Sequence, residues 1–354
     1  MKTPNEQNAF APINLVSVGV IAFNEEGVIE GLLDDLKAQD YPHERIEVIL
    51  VDSASTDNTK LIMNRFAQAN SAPEMGFANV LVLDNPKRII PNGWNVALTA
   101  FSGDAFLRVD AHARIPSDFV SANIAVLEEG EFVCGGPRPT VAKPDTPWTR
   151  TLLAAEESAF GSSVADYRTG SEKQYVSAVF LPTFRREVIE SVGLYDERLE
   201  RTEDNDYCYR IREAGYRIRF DSRIHSAQIA RNSYSRMMKQ KYGNGFWVGK
   251  TLLIQPKCLH AYHFAPLAFV IGAAGMLLTG VFASWRPFAA CTMAYALICA
   301  ALTVRTIVQS TKRCVQMLAL PVVYAGIHFT YGLGTVAGIA SGIAGQIATN
   351  SQMR

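Results

Sequence analysis

The sequence predicts an α/β domain of the doubly wound type, with a mixed, mainly parallel sheet, followed by C-terminal transmembrane helices. Three observations predict it. Apolar runs that end in polar residues alternate with helix-like patterns from Leu15 to Asp110. Nearly all charge lies before residue 258 of the 354. Beyond it come three successive apolar stretches, each long enough to cross a ~30 Å hydrocarbon layer as a helix.

The first run, "LVSVGVIAF" from Leu15 to Phe23, is nearly all apolar, as expected of a strand buried on both faces of a parallel sheet. "NEEGVIEGLLDDLKAQ" follows, with Asn24 as N-cap, acids in the first turn and Val28, Leu32, Leu33 and Leu36 at helical spacing. "IEVILVD" is a second strand, and "STDNTKLIMNRFAQ" a second helix opened by Ser55 or Thr56. "ANVLVLD" and "DAFLRVD" complete four strands separated by helices. Past residue 130 the alternation becomes irregular. "EFVCGGPRPT" reads as a strand with a glycine turn, and "TPWTRTLLAAEESAFG" as a helix. "QYVSAVFLPTFRREVIESVG" reads as a strand and a helix stopping at Gly193. In "ERTEDNDYCYRIREAGYRIRF" a helix from about Asn205 closes at Gly215 before a further strand.

The uncharged stretches run from Phe264 to Trp285, from Pro287 to Val304 and, apart from His328, from Cys314 to Gly345. Arg305, Lys312 and Arg313 lie between the second and third spans, against Arg286 alone in the first connection, so the positive-inside rule puts the longer loop in the cytoplasm. Two crossings back, residues 1–258 are cytoplasmic too. The polar start "MKTPNEQNAFAPINL" has no apolar signal core. None of the six cysteines forms a C-x-x-C pair, which argues against a disulfide framework or zinc site. The expected organisation is a tail at 1–13, the α/β domain at 14–232, an interfacial amphipathic segment at 233–263 rich in lysines and aromatics, and a membrane domain at 264–345 with spans at 264–285, 287–308 and 315–340.

In a doubly wound sheet, ligands bind at the carboxyl ends of the strands. Asn24 and Glu25 follow strand one, Asp52, Ser53 and Ser55 follow strand two, and Asp110 and His112 follow strand four. Neither G-x-G-x-x-G after the first strand nor G-x-x-x-x-G-K-[ST] anywhere is present, which argues against a dinucleotide enzyme and a P-loop NTPase. A crevice lined by carboxylates instead needs a metal, or a ligand rich in hydroxyls and amides. In an extended segment Asp110 and His112 point the same way, and carboxylate plus imidazole is an ordinary divalent-metal pair that favours Mn²⁺ somewhat over Mg²⁺. The competing reading has Asp110 capping a turn and His112 bonded to backbone. Glu203, Asp204 and Asp206 offer a general base whose pKa neighbouring charge would raise; equally, acids there stabilise the positive end of a helix.

Together "IAFNEE", "VDSASTDNT", "RVDAHARIPSDF" and "VGLYDERLERTEDNDYCYRIREAGYRI", in register over about residues 14–250, resemble the family 2 glycosyltransferases with a GT-A fold. "NPKRIIPNGWNVAL" leading into "RVDAHA" looks like the membrane-associated branch typified by succinoglycan β-1,3-glucosyltransferases. The resemblance implies that Asn24, Glu25 and Asp52 contact the base and ribose of a nucleotide sugar, with Asp57 in the same loop motif. It implies that Asp110 and His112 form the D-x-D motif, whose Mn²⁺ or Mg²⁺ bridges the diphosphate, and that Asp204 deprotonates the acceptor hydroxyl. His225, 21 residues after Asp204, stands where some GT-A enzymes have a third metal ligand, against a core or surface histidine. Either His112 binds the ion through a ring nitrogen, or it touches the diphosphate while Asp110 alone holds the metal.

The implied activity is inverting transfer of one hexose from a UDP-sugar to a polyprenyl-diphosphate-linked oligosaccharide in exopolysaccharide or capsule assembly, at a membrane and without nucleic acid. Transfer directly to polyprenyl phosphate is the close alternative. A non-catalytic nucleotide-sugar-sensing membrane protein is the alternative of a different class. There are departures from the family pattern. Ile21 replaces the usual proline before the N-E pair, and "KQKYGNGFWVGK" stands where processive synthases carry Q-x-x-R-W, which favours single addition. Donor choice is expected to rest on contacts around Gly135 to Arg138 and Tyr175 to Thr183.

Overall fold

A computed structural model describes residues 11–70, 76–137, 139–141, 144–158, 160–161, 174–229 and 233–352. The expected tail and Arg138 therefore fall wholly or largely outside the described residues, as does the boundary at 230–232. The chain forms two compact units, the described parts of Met1–Pro139 with Ala165–Gln228, and of Thr140–Val164 with Ile229–Arg354.

The first unit contains β1 (Val16–Ala22), α1 (Ile29–Lys37), β2 (Ile46–Asp52), α2 (Thr59–Ala69), β3 (Asn79–Asp84), α3 (Ile90–Ala100), β4 (Ala105–Asp110), β5 (Ala113–Arg114), α4 (Phe119–Glu128) and β6 (Val133–Gly136). The second unit's β7 (Thr140–Val141) and α5 (Pro147–Glu157) follow, and the chain returns with β8 (Gln174–Val176), β9 (Phe180–Arg185), α6 (Arg186–Val192), α7 (Glu203–Glu213), β10 (Ile218–Phe220) and β11 (Ala227–Ile229). One sheet runs β3-β2-β1-β4-β9-β6-β10-β8. The four strands read from sequence are mutually parallel, β9 is antiparallel to both neighbours, and β8 is antiparallel to β10.

Alternation within the buried strands splits the core in two. Val18, Val20, Val48, Leu50, Leu107 and Val109 face one side, with Leu32 of α1, Met63 of α2 and Val120 of α4. Ile49, Val51 and Phe106 face the other, with Trp94 of α3, Val188 of α6 and Tyr207 of α7. Each such aliphatic side chain taken from water stabilises the fold by about 1.5–3 kcal/mol before entropy is counted. Because side chains alternate, Arg108 and Asp110 share the face of Phe106, toward α3 and α7.

The helix starts differ from expectation. Val28 is exposed and immediately precedes α1, so Ile29 joins Leu32, Leu33 and Leu36 in the buried stripe, and no side chain caps the helix. Asn58, rather than Ser55 or Thr56, precedes α2. "QYVSAVFLPTFR" holds two strands, not one. "CGG" lies in β6 instead of a turn, and Gly136 is required there because an added Cβ would collide with the Ile224 carbonyl.

The second unit adds α8 (Tyr234–Thr251), α9 (Ala265–Phe282), α10 (Arg286–Gln309) and α11 (Leu320–Gln352). Three segments are long and apolar enough to cross a membrane, Ala261–Phe282, Arg286–Gln309 and Val315–Ala348. The first two are largely exposed, with Phe282 and Leu297 among the exposed side chains, whereas the third buries Leu320, Tyr324 and Ile327. Most of the segment expected at a membrane interface is α8, one face of which is committed to α11. Gly245 and Gly249 of α8 meet the Tyr331 and Thr335 carbonyls, and Gly334 and Gly338 of α11 meet those of Tyr242 and Phe246 so closely that a Cβ would collide at each. Buried Lys241 of α8 pairs with Glu156 of α5 at 3.3 Å. His328 lies between the Tyr295 hydroxyl (2.9 Å) and the Phe160 carbonyl (2.8 Å).

Candidate active site

The parallel register gathers the carboxyl ends of the strands on one edge. Asp110 lies opposite Ile21, Ala22 opposite Asp52, and Asp52 opposite Asp84. Asn24 and Glu25 continue from the same edge of β1. The sequence-predicted residues of the first four strands thus come together because the strands end in step.

The loops after β1 and β2 are stitched to each other. Thr56 N–H donates to Asn24 Oδ1 at 2.8 Å, and Asn24 N–H donates to Ser55 Oγ at 3.0 Å. Glu25 N–H donates to Thr59 Oγ1 at 2.8 Å, and Glu26 N–H to Asp57 Oδ2 at 3.2 Å. These cross-loop bonds explain why Asn24 caps no helix. Asn24 and Ala54 sit at φ 55° and 56°, a left-handed conformation in which non-glycine residues are uncommon and which marks functional turns. Asp52 is buried, and both its oxygens accept from Ser55 N–H. Asp57 accepts from the Thr59 hydroxyl and N–H; slight desolvation acts against its charge, but these bonds win and hold its carboxyl below the usual range.

β4 ends at Asp110, and residues 111–112 form a turn before β5, so the extended path expected through His112 stops at Asp110. The His112 ring faces Glu25, with Nδ1 3.6 Å from Oε1. The residue that alternates with Asp110 inside the strand is Arg108. Its Nη2 lies 3.7 Å from Asp110 Oδ1 and donates to Glu203 Oε1 at 3.3 Å, and its guanidinium lies over the Trp94 ring, 4.4 Å from the centroid. Burial acts against the Arg108 charge, but the surrounding Tyr195, Asp110 and Glu203 more than offset it and raise its pKa.

The three acids of "EDND" part ways in the first turn of α7. The Glu203 side chain is 5% exposed, held on Arg108. Burial, then the charge of Asp204, push its carboxyl up to about 8 against the pull of Arg108. Asp206 is buried and pairs with Arg210 at 2.8 Å. Asp204 is exposed, and its Oδ1 accepts from the neighbouring Asn205 N–H. Arg108 and Trp94 were not singled out from sequence. The available signal was a lone arginine inside the otherwise apolar run "AFLRV".

Asp110 and His112 offer one oxygen and one nitrogen donor, a set that would suit a divalent ion. Among the described residues no three His, Cys, Asp or Glu side chains are grouped to hold an ion. His225 is exposed beyond β10, and the structure does not gather it with Asp110 and His112 into such a group. Of the regions expected to choose the donor, Gly135 and Gly136 lie in β6, Tyr175 is an exposed residue of β8, and Thr183 is buried in β9.

A family model described as glycosyl transferase family 2 matches residues 17–193. The succinoglycan biosynthesis protein ExoA of Rhizobium meliloti is 29% identical over 260 residues, 72% of this chain and 75% of that protein. A dolichyl N-acetyl-alpha-D-glucosaminyl phosphate 3-beta-D-2,3-diacetamido-2,3-dideoxy-beta-D-glucuronosyltransferase of Methanococcus voltae is 23% identical over 76% of this chain and 83% of its own. The structure of the mannosyltransferase PcManGT from Pyrobaculum calidifontis, in complex with GDP-Man and Mn2+, superposes with a TM-score of 0.60 at 19% identity, covering 93% of this chain and 88% of that one. That likeness shows the shared GT-A fold. The family match spans the strand-end residues from Asn24 to His112 and reaches to just before the acids of α7, and on it the chain belongs to glycosyl transferase family 2 and is a glycosyltransferase.

Proposed function

We propose that this glycosyltransferase moves one hexose from a UDP-sugar to a lipid-linked saccharide at a membrane, with inversion at the anomeric carbon. The observation that carries the reading is the division of labour in α7. Glu203 is buried against Arg108 and Asp206 in an ion pair with Arg210, while Asp204, between them, is exposed one residue from the Arg108 network that reaches Asp110. An exposed carboxylate there can accept the proton of an attacking hydroxyl as its oxygen bonds to the anomeric carbon and the bond to the diphosphate breaks. No enzyme nucleophile is needed, and an α-linked donor gives a β-linked product.

In this reading Asn24, Glu25 and Asp52 hold the nucleoside, and Asp57 keeps their loops in place through Thr59 and Glu26. Asp110 and His112 would hold a divalent ion, Mn²⁺ or Mg²⁺, which supplies charge stabilisation for the leaving diphosphate. The lipid acceptor is supported by the three membrane-length helices and by the Methanococcus voltae relative, whose name includes dolichyl N-acetyl-alpha-D-glucosaminyl phosphate. Confining enzyme and acceptor to one bilayer raises their effective concentration. We place the catalytic unit in the cytoplasm on the lysine and arginine bias of the longer connecting loop.

The test is release of nucleoside diphosphate by the full chain in detergent or nanodiscs, with a panel of nucleotide sugars, with and without Mn²⁺ and with membrane extract as acceptor. Metal-dependent release lost in Asp204→Asn supports the reading. Binding of a nucleotide sugar without turnover under any condition favours a sensor. Product analysis with polyprenyl phosphate and polyprenyl-diphosphate saccharide decides between the two acceptors.

A further inference from the structure

Arg108 is a cation in the middle of a buried strand, and its side chain is only 12% exposed. Three elements far apart in sequence converge on it. The face of Trp94, fully buried on α3, lies under the guanidinium. Glu203 on α7 accepts its hydrogen bond at 3.3 Å, and Asp110 at the end of its own strand lies 3.7 Å from the same Nη2. Tyr195, stacked on Tyr207 of α7, lies close enough for the guanidinium charge to be felt. A guanidinium presents several N–H donors in a fixed plane, so one side chain can hold two carboxyl groups in a set mutual orientation, which a lysine ammonium cannot do to the same degree.

We infer that Arg108 is a positioning residue which, through Glu203, fixes the first turn of α7 and hence Asp204 relative to Asp110. The inference rests on the roles proposed above for Asp110 and Asp204. Asp110 ends the strand that carries Arg108, and Asp204 follows Glu203 directly, so the contact joins the residue assigned to the diphosphate with the residue assigned to the acceptor hydroxyl. Small errors in such a spacing are costly, since a displacement of about 1 Å can lower a rate about a hundredfold. Trp94 prevents the guanidinium from swinging away, and its burial explains why the cation keeps one place.

The experiment compares wild type, Glu203→Ala, Glu203→Gln, Arg108→Lys and the double variant Arg108→Lys/Glu203→Ala, as full chains in detergent. Nucleoside diphosphate release, donor KM, kcat and calorimetric binding of Mn²⁺ with UDP are measured for each. Glu203→Gln, which keeps an oxygen for Arg108, is expected to stay within about threefold of wild type. Glu203→Ala is expected to lose at least about tenfold in kcat with donor KM and UDP binding unchanged, because only the Asp204 side has moved. Arg108→Lys should lose kcat and also raise donor KM, and the double variant should be no worse than the poorer single variant, as for groups acting as one unit. Unchanged kcat in Glu203→Ala, equal losses in Gln and Ala, or additive losses in the double variant overturn the inference. Loss of UDP binding in Glu203→Ala also overturns it, since Glu203 would then support the fold as a whole. A wild type that turns over no nucleotide sugar overturns the functional reading and the inference with it, whereas an active wild type isolates the inference.

Discussion

The Asn95 side chain clamps the main chain of Tyr195, 100 residues away: Nδ2 donates to the Tyr195 carbonyl at 3.0 Å and Oδ1 accepts its N–H at 2.8 Å. Asn95 is buried on α3, one residue from Trp94, and Tyr195 stacks on Tyr207 of α7 at 4.1 Å. The clamp therefore ties the α3 helix to the approach to α7. Leaving a buried amide or carbonyl unpaired costs about 1–3 kcal/mol. Asn95→Ala is expected to lower the melting temperature of the α/β unit by several degrees. Asn95→Asp should cost at least as much, because it sets a carboxylate oxygen against the Tyr195 carbonyl. Thermal melts of both variants check this, and an Asp variant as stable as wild type would count against the clamp.

Much of this framework is legible in the sequence, for a physical reason. Strands buried on both faces are nearly all apolar, so β1, β2 and β4 announce themselves, and the polar residues that end two of them, Asp52 and Asp110, fall at the edge where ligands bind. What the sequence does not reveal is where side chains bond once the loops are folded. Asn24 has the residue type of a helix cap, yet its oxygen is taken by Thr56 on another loop. The contact of Arg108 with Glu203 spans 95 residues and follows no local period. Likewise "CGG" looks like a turn because glycine suits turns, whereas Gly136 is small to let the Ile224 backbone approach.

Glu203 gives a pH dependence with a definite sign. Its carboxyl is raised from 4.5 to about 8 in the fold by burial first and by Asp204 second. The folded chain then holds a proton that the unfolded chain has lost, so this contribution is complete below about 4.5 and fades as pH rises toward 8. The slope is at most about 1.4 kcal/mol per pH unit, the value for one proton. Glu203→Gln removes it. Melting temperature followed across that range should fall more steeply in wild type than in the variant; parallel curves would sink the assignment.

His112 turns Nδ1 toward the Glu25 carboxylate, 3.6 Å away. If His112 coordinates the ion, His112→Asp replaces a nitrogen ligand by oxygen. Activity should then fall less than about tenfold, and the preference for Mn²⁺ over Mg²⁺ should shrink, as oxygen ligands suit Mg²⁺. A severe loss with the metal preference unchanged would instead mean that the imidazole touches the diphosphate. Activity of the variant titrated with each metal separates the two outcomes.

Gly338 and Gly272 form a matched pair of tests for the helical unit. Both lie in apolar helices, but an added Cβ at Gly338 would collide with the Phe246 backbone of α8, while nothing lies within 4 Å of one at Gly272. At glycine contacts of this kind helix association depends on close backbone approach. Gly338→Ala should force α8 and α11 apart and destabilise the unit by about 1–3 kcal/mol, the usual range for overpacking. Gly272→Ala should be neutral or slightly stabilising, since alanine is the better helix former by about 1 kcal/mol. Thermal stability in a fixed detergent reads both. Equal melting temperatures for the two variants would show that the glycine contacts between α8 and α11 do not hold this unit together.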